Sequence, residues 1–136
     1  MKAQRLKTRE QFQAVLAVPP LTRTEHFVMH RRLASGPDMA TTPALAVLNE
    51  GLWFGAMVPK RWARRAVTRN LIKRQIFSLA EQYAPGLPVT AYLIRLRSGF
   101  DRQQFKSAAS DPLRAAVRKE LEQLFRRAIR PEAVVA

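Results

Sequence analysis

The sequence predicts a mixed α/β fold, a two-layer sandwich in which about four strands form one sheet and three helices pack against it. Two observations predict this class. Segments with helical periodicity alternate with short apolar segments of strand length, in the order helix, strand, strand, helix, strand, helix. In addition, no segment repeats another, and 136 residues suffice to bury one core without disulfides or structural metals. We therefore expect a single domain over residues 1–136.

The first helix is marked by the residues at its start. Thr8 is followed three residues later by Gln11, which is the spacing of a capping box, and apolar residues recur at helical intervals from Phe12 onwards. This pattern predicts a helix over residues 9–17, which ends before the pair of prolines that begins at Pro19.

Two strands and a loop follow this helix. Residues 26–33 are short and partly alternating, which predicts a strand. Residues 52–58 form a continuous apolar run, as expected for a central strand covered on both faces. The segment between them, residues 34–51, begins with many turn-forming residues and predicts an inserted loop. Within it, residues 44–49 fit a strand and a buried turn equally well.

The second half of the chain continues with a helix and a strand. Residues 62–83 have helical periodicity, and Pro85 and Pro88 lie in the segment that ends this helix. Residues 89–97 are apolar and of the kind found in strands, so they predict the next strand. Residues 102–110 are too mixed in character for an assignment.

The last helix has the clearest pattern in the chain. Asp111 is expected to cap it, and Pro112 suits the first helical position. Apolar residues then recur at core spacing: Leu113, Val117, Leu121, Leu124 and Ala128. Residues 131–136 are expected to form a short tail.

The composition restricts the classes of partner. The 24 Lys and Arg against 10 Asp and Glu give 24 − 10 = +14, so nucleic acid is the leading partner class. There is neither an apolar run of about 18 residues nor a signal-peptide pattern, so we expect a cytoplasmic protein without membrane contact. With no cysteine and two histidines, a structural metal site is not expected.

A run of cations lies at the start of the middle helix. Residues 60–74 contain no Asp or Glu and seven basic side chains: Lys60, Arg61, Arg64, Arg65, Arg69, Lys73 and Arg74. On a helix Arg69 lies one turn from Lys73, and Asn70 lies one turn from Arg74, so these side chains form one patch beside a core face. The expected members of that core face are Ile72, Ile76, Leu79 and Tyr83.

This run of cations has two interpretations, one as an ordinary solvent-exposed surface and one as a binding site. It can be an ordinary solvated helix face, but such faces interleave Glu with Lys. Like charges at this spacing destabilise a helix by roughly 0.2–0.5 kcal/mol per pair, and a helix N-terminus already favours anions. We therefore predict a surface that binds the phosphates of a nucleic acid. Charge alone does not distinguish RNA from DNA.

The stretch FGAMVPKRWARRAVTRNLIKR resembles the signature of the bacterial ribonuclease P protein subunit, in which a strand ends in a basic pair and leads into an Ala-Val-x-Arg-Asn-x-x-Lys-Arg helix. RLKTREQFQAVL is similar to the first helix of that family, HFVMHRRL to an early strand, and FRRA to the last helix. The chain departs from the family pattern at Leu71 and Phe77, where basic residues are usual. It also has Pro59 before the basic pair and a long segment from Ser35 to Gly51.

The resemblance implies both a fold and a function. The fold would be an α/β sandwich with a left-handed crossover around the basic helix. The function would be that of a protein subunit that pairs with a large catalytic RNA, the ribonuclease P RNA. That RNA would carry out the magnesium-dependent hydrolysis that removes the 5′ leader of precursor tRNA. The protein alone would then bind no cofactor and contribute no catalytic side chain, whereas the RNA–protein enzyme would require Mg²⁺.

The resemblance also implies two RNA-binding sites. The seven cations and Asn70 would contact the catalytic RNA, as phosphate contacts that position the protein. A cleft between the first helix and the sheet would hold the single-stranded leader, with Phe12 and His30 as its aromatic residues. From the residues alone, Phe12 is better explained as a core side chain, and His30 is equally well explained as a surface residue of a strand.

Three other functions remain open at this point. A ribosomal or other structural RNA-binding protein would have the same charge and a similar order of elements. An autonomous phosphodiesterase would need paired carboxylates for a two-metal centre, and no Asp-x-Asp or similar pair is present. A sequence-specific DNA-binding protein would be expected to have helix-turn-helix or zinc-finger spacing, which is absent. Nothing in the sequence implies that the protein forms oligomers.

Overall fold

The computed structural model describes residues 3–32, 47–49, 51–100 and 110–129. Its strands are β1 (Gln4–Arg5), β2 (Pro20–Arg23), β3 (Phe27–Arg31), β4 (Trp53–Met57) and β5 (Ala91–Leu96). Its helices are α1 (Arg9–Leu16), α2 (Ala66–Tyr83) and α3 (Asp111–Ile129), and short 3-10 turns span Val47–Asn49 and Ala84–Gly86.

The predicted mixed α/β class and the predicted order of helices and strands are confirmed, with β1 and β2 as additional strands. Within residues 44–49, the part that is described is a 3-10 turn with Leu48 buried, which agrees with the buried-turn alternative. The predictions for residues 34–46, 102–109 and 131–136 lie outside the described residues.

One five-stranded sheet, in the order β1-β4-β5-β3-β2, organises the molecule. β4 and β5 are parallel, with Trp53 opposite Ala91, and α2 forms the crossover between them. β3 runs antiparallel to β5, with Phe27 opposite Leu96. The sequence predicted about four strands because the two edge strands give little signal. β1 has only two residues, and β2 begins with Pro20, which suits an edge. The hand of the crossover stays a prediction.

The start of α1 follows the predicted capping box. The backbone N–H of Gln11 donates to Thr8 Oγ1 at 3.1 Å, and Gln11 Oε1 accepts from the Thr8 backbone N–H at 3.2 Å. The start of α3 differs by one residue from the prediction. Ser110 Oγ, not the Asp111 side chain, accepts from the backbone N–H of Leu113, at 3.2 Å. The cap is therefore Ser110, because α3 already includes Asp111.

Side chains alternate between the two faces of the sheet. On the face that α2 and α3 cover, which we call the α2–α3 face, Phe54 stacks on Tyr92 with 5.1 Å between ring centroids, and Phe125 of α3 lies 6.2 Å from Phe54. On the opposite face, which we call the α1 face, Trp53 and Leu93 pack with α1. Thus α1 adds a partial layer to the predicted sandwich.

The helices bury the sides that their periodicity predicted. In α2, Ile72, Ile76 and Leu79 are fully buried, and Tyr83 is half-buried against the same core. In α3, every predicted core position is buried: Leu113, Val117, Leu121, Leu124 and Ala128. No helix among the described residues is long and apolar enough to span a membrane.

Candidate nucleic-acid interface

The loop that leads from β4 into α2 presents four of the predicted cations to solvent. The backbone N–H groups of Trp62 and Ala63 both donate to the Pro59 carbonyl at 3.1 Å, which closes a turn. For this reason α2 begins at Ala66 rather than at the predicted residue 62. The four exposed cations of this loop are Lys60, Arg61, Arg64 and Arg65.

The N-terminus of α2 carries no negative charge of its own. The residue at the cap position is Arg65, whose side chain makes no capping hydrogen bond, and the first turn contains no acidic residue. The free N–H groups and the helix dipole therefore favour an external anion at this end. The four loop cations immediately precede this end of the helix, so their attraction for an anion adds to that of the helix.

Arg69 differs from the other predicted cations because the protein itself uses part of its side chain. It is half-buried, and its Nη1 donates to the carbonyl oxygens of Ala63 and Arg64, at 3.0 and 2.7 Å. Arg69 therefore holds the loop against the first turns of α2, in addition to contributing positive charge. The sequence predicted the charge but gave no signal for this structural role.

Asn70, Lys73 and Arg74 are exposed on α2, next to the buried side chain of Leu71. None of the seven predicted cations forms an ion pair with a carboxylate of the described residues. The close contacts between basic and acidic side chains in the described part of the chain lie elsewhere, between His26 and the carboxylates Glu25 and Glu120, and within α3. We call the seven cations together with Asn70 the α2 surface.

The two positions of α2 that depart from the family pattern have different environments. Leu71 is part of the hydrophobic core. Phe77 is half-buried, and the guanidinium carbon of Arg5 from β1 lies 4.0 Å from its ring centroid, a cation–π contact. Arg5 of the edge strand β1 thus places a cation beside Phe77, a position where α2 itself carries no basic residue. The sequence did not point to Arg5, because β1 lies far from α2 along the chain.

On the α1 face, a glycine allows α1 to approach the sheet closely. A Cβ atom placed on Gly55 of β4 would lie 2.6 Å from Leu6 Cδ1 and 2.9 Å from Phe12 Cε1. Phe12 is half-buried there, beside the fully buried Val15. The ring of Phe12 therefore serves partly as a core side chain and partly as surface.

His30 lies on β3 and is buried, with 4% of its surface exposed. Its Nδ1 is 2.8 Å from the Val18 carbonyl oxygen, and its Nε2 is 3.1 Å from Nε of Arg95. An arginine Nε can only donate, so His30 Nε2 accepts and Nδ1–H donates to Val18. Burial lowers the pKa of His30 below 6.5, and the cations Arg95 and Arg23 lower it further, against the effect of the Val18 hydrogen bond. The imidazole is therefore neutral at neutral pH.

The predicted aromatic residues of the cleft, Phe12 and His30, both lie on the α1 face, but only Phe12 offers ring surface to a ligand. Contact of either residue with a leader stays a prediction. Arg95, to which the sequence analysis assigned no role, lies beside His30. Its side chain is half-buried on the same face. Within the described residues, no cluster of acidic and histidine side chains is placed to hold a metal ion.

Comparison with known proteins places this fold and these residues in one family. The family model described as Ribonuclease P matches residues 1–129. The ribonuclease P protein component of Ralstonia pickettii is 38% identical over 130 residues, which are 96% of this chain and 82% of that protein. The corresponding component of Paraburkholderia xenovorans is 36% identical over 132 residues, which are 95% of this chain and 83% of that protein.

A solved structure shows the same fold. The RNase P protein of Staphylococcus aureus matches with a TM-score of 0.59 over 92% of this chain and 94% of its own, at 18% sequence identity. At this identity the likeness concerns the fold alone.

Proposed function

The chain belongs to the bacterial ribonuclease P protein family, and on this premise we propose how its surfaces act on RNA. It is the protein subunit of ribonuclease P, an endoribonuclease of tRNA processing, and its partner is the RNA of that enzyme. In our proposal the α2 surface binds the catalytic RNA. The α1 face holds the 5′ leader of precursor tRNA, so that the enzyme releases tRNA with a mature 5′ end.

One observation supports the first assignment most strongly: the cations of the α2 surface have no carboxylate partner in the described part of the chain. They extend from the loop after β4 to the third turn of α2, and they lie on both sides along the chain of a helix N-terminus that lacks a side-chain cap. Phosphates of a folded RNA supply the missing negative charge. Because phosphate contacts carry no base information, they serve to position the protein on the RNA.

The leader assignment rests on the α1 face. Single-stranded nucleic acid is bound where aromatic rings lie beside a positively charged groove. Phe12 provides a half-exposed ring there, and Arg95 provides a positive charge on the neighbouring part of the sheet. His30 belongs to this cleft through its hydrogen bond to Arg95 rather than through its own ring surface.

Catalysis in this proposal belongs to the RNA. The catalytic RNA hydrolyses the phosphodiester bond with bound Mg²⁺, and the protein binds and orients RNA without a catalytic side chain. By neutralising phosphates, the α2 surface lowers the concentration of Mg²⁺ that the complex needs. The expected place of action is the cytoplasm.

Reconstitution tests the proposal directly. The catalytic RNA of a close bacterial relative is assayed for cleavage of precursor tRNA at low magnesium, with and without the full chain. We expect the chain to lower the magnesium requirement. Replacing both Lys73 and Arg74 by alanine should weaken binding to the catalytic RNA about tenfold and flatten its log–log salt dependence by about 0.7–0.9 per lost contact.

The matched control removes two exposed cations of α3, Lys119 and Arg126, and should leave the affinity nearly unchanged. If both double variants weaken binding equally, general charge rather than the α2 surface governs the interaction. If the unmodified chain binds RNA but leaves the magnesium requirement unchanged, it acts as a structural RNA-binding protein and the proposal fails.

A further inference from the structure

Arg95 lies on the α1 face of the sheet, in β5. In the sheet it lies opposite Met57 of β4 and Val28 of β3, and both neighbours are apolar. It is half-buried, and it forms no ion pair with a carboxylate of the described residues. A partly desolvated guanidinium without an anion is unfavourable, because the charge loses hydration and gains no partner. The position therefore suits an anionic ligand.

His30 determines how the guanidinium of Arg95 is presented. The ring is fixed by its hydrogen bond to Val18 and accepts the Nε–H of Arg95 through Nε2. Within the described residues, the two terminal Nη groups of Arg95 have no hydrogen-bond partner. Their planar fork matches two oxygens of one phosphate group. A neutral, buried imidazole thus orients a cation without neutralising it.

The residues around Arg95 indicate that the phosphate it binds belongs to a single strand that also contacts Phe12. Phe12 contacts β4 at Gly55, which lies opposite Leu93, two residues before Arg95 and on the same face. Two residues of a strand span about 7 Å, which is close to the spacing of successive phosphates in an extended single strand. Met57, opposite Arg95, lies three residues before Lys60 of the α2 surface. Along this side of the molecule, the order is therefore the ring of Phe12, the cation of Arg95 and then the α2 surface.

We propose that Arg95, oriented by His30, binds a backbone phosphate of the single-stranded leader whose base lies against Phe12. This inference rests on the proposed function and adds two residue roles to it. Arg95 is the phosphate-binding residue, and His30 is a positioning residue that acts through Arg95.

The test uses the reconstituted holoenzyme and two precursor tRNAs, one with a leader of several nucleotides and one with a single leader nucleotide. Arg95→Ala should weaken binding of the long-leader substrate about fivefold, leave the short-leader substrate unchanged, and reduce the salt slope by about 0.7. Arg126→Ala on α3, which removes an exposed cation, is the control and should change neither substrate. Equal effects of Arg95→Ala on both substrates would overturn the proposal.

Two substitutions of His30 separate positioning from stacking. His30→Gln removes the ring but keeps an oxygen that can accept from Arg95, whereas His30→Phe keeps an aromatic ring and loses the acceptor. If His30 positions Arg95, the Gln variant retains long-leader binding and the Phe variant loses about as much as Arg95→Ala. The reverse order would mean that His30 stacks on a base, and the positioning role would be wrong. Thermal unfolding of both variants is measured alongside.

A modified substrate tests the same contact without a change to the fold. One leader phosphate at a time is replaced by a neutral methylphosphonate, and binding is measured with the unmodified chain and with Arg95→Ala. At one linkage, the methylphosphonate should weaken binding of the unmodified chain by the same factor by which Arg95→Ala weakens binding of the unmodified substrate. Combining the two changes should weaken binding no further. If no linkage behaves in this way, Arg95 does not bind a leader phosphate.

Failure of this inference is distinguishable from failure of the proposed function. If the unmodified chain neither lowers the magnesium requirement nor favours the long leader, the proposed function itself is wrong. If it does both, and Arg95→Ala behaves like the control, only the assignment of Arg95 is overturned.

Discussion

The two faces of the sheet differ in how completely helices cover them. On the α2–α3 face, helices of 18 and 19 residues, about 27 and 29 Å long, leave Phe54, Tyr92 and Ile94 with no exposed surface. On the α1 face, a helix of eight residues, about 12 Å long, covers only part of the strands, and Met57 and Arg95 stay half-buried. One face thus provides the main core, and α1 covers the other only in part.

In our proposal, the alternation of side chains along single strands separates stability from recognition. Ile94 and Arg95 are neighbours in β5, yet one lies in the main core and the other lies in the candidate leader cleft. Two phenylalanines provide a matched pair for testing this separation: Phe125, which is fully buried on the α2–α3 face, and Phe12, which is half-buried on the α1 face.

The largest expected effect is that of Phe125→Ala. The ring lies 5.5 Å from Tyr83 and 6.2 Å from Phe54 between centroids, so its removal leaves a cavity in the main core. We expect a loss of about 3–5 kcal/mol in the free energy of unfolding, measured in urea. The protein that remains folded should discriminate leader length as the unmodified chain does. A loss below about 1 kcal/mol would contradict the view that this face carries most of the stability.

Phe12→Ala should have a smaller effect on stability and a selective effect on function. Full burial of a phenylalanine contributes about 1.5–3 kcal/mol, so a half-buried ring should contribute about 1 kcal/mol to the free energy of unfolding. Binding of a leader-bearing substrate should weaken by a factor of about 5 or more, as expected for one lost base-stacking contact. A substrate without a leader is the control, and equal losses for both substrates would count against the cleft.

The smallest expected effect is a pH dependence that arises from His30. Because its pKa is lower in the folded protein than the ordinary 6.5, the unfolded chain binds the proton more readily. The contribution of His30 to stability is therefore complete above pH 6.5 and decreases as the pH falls from 6.5 towards the lower pKa of the folded state. Protonation would also turn Nε2 into a donor that faces Arg95, and the added charge would be repelled by Arg95 and Arg23.

Urea unfolding of the unmodified chain and of His30→Gln between pH 5 and 8 measures this effect as the difference between the two proteins. His26, which bonds Glu120 at 2.7 Å, is present in both proteins, so its contribution cancels in the difference. A difference that does not change with pH would show that His30 keeps its ordinary pKa in the folded state.

The helices were predictable because their signals are local. The capping box of Thr8 and Gln11 and the core spacing of α2 and α3 depend on residues within a few turns of each other. The edge strands escaped prediction because β1 is held by pairing with β4, about fifty residues away, and its two residues have no pattern of their own. Likewise, the start of α2 depends on a turn at Pro59 that periodicity does not reveal.

The candidate site was predictable in its charge and not in its arrangement. A run without carboxylates identified the α2 surface, but the two backbone hydrogen bonds of Arg69 and the contact of Arg5 with Phe77 come from packing. His30 shows the same limit. As a strand histidine it could be expected on the surface, whereas the structure buries it under Arg95 and next to Val18.

The sequence by itself determined the fold class, the family and the unbalanced charge of α2, because each depends on the order and identity of residues along the chain. The tertiary structure alone decided which cation lies against which ring, which histidine is neutral and which side chains share a face of the sheet. The physical reason is that desolvation and hydrogen bonding depend on neighbours in space, and strand pairing brings together residues such as His30 and Arg95 that lie 65 positions apart.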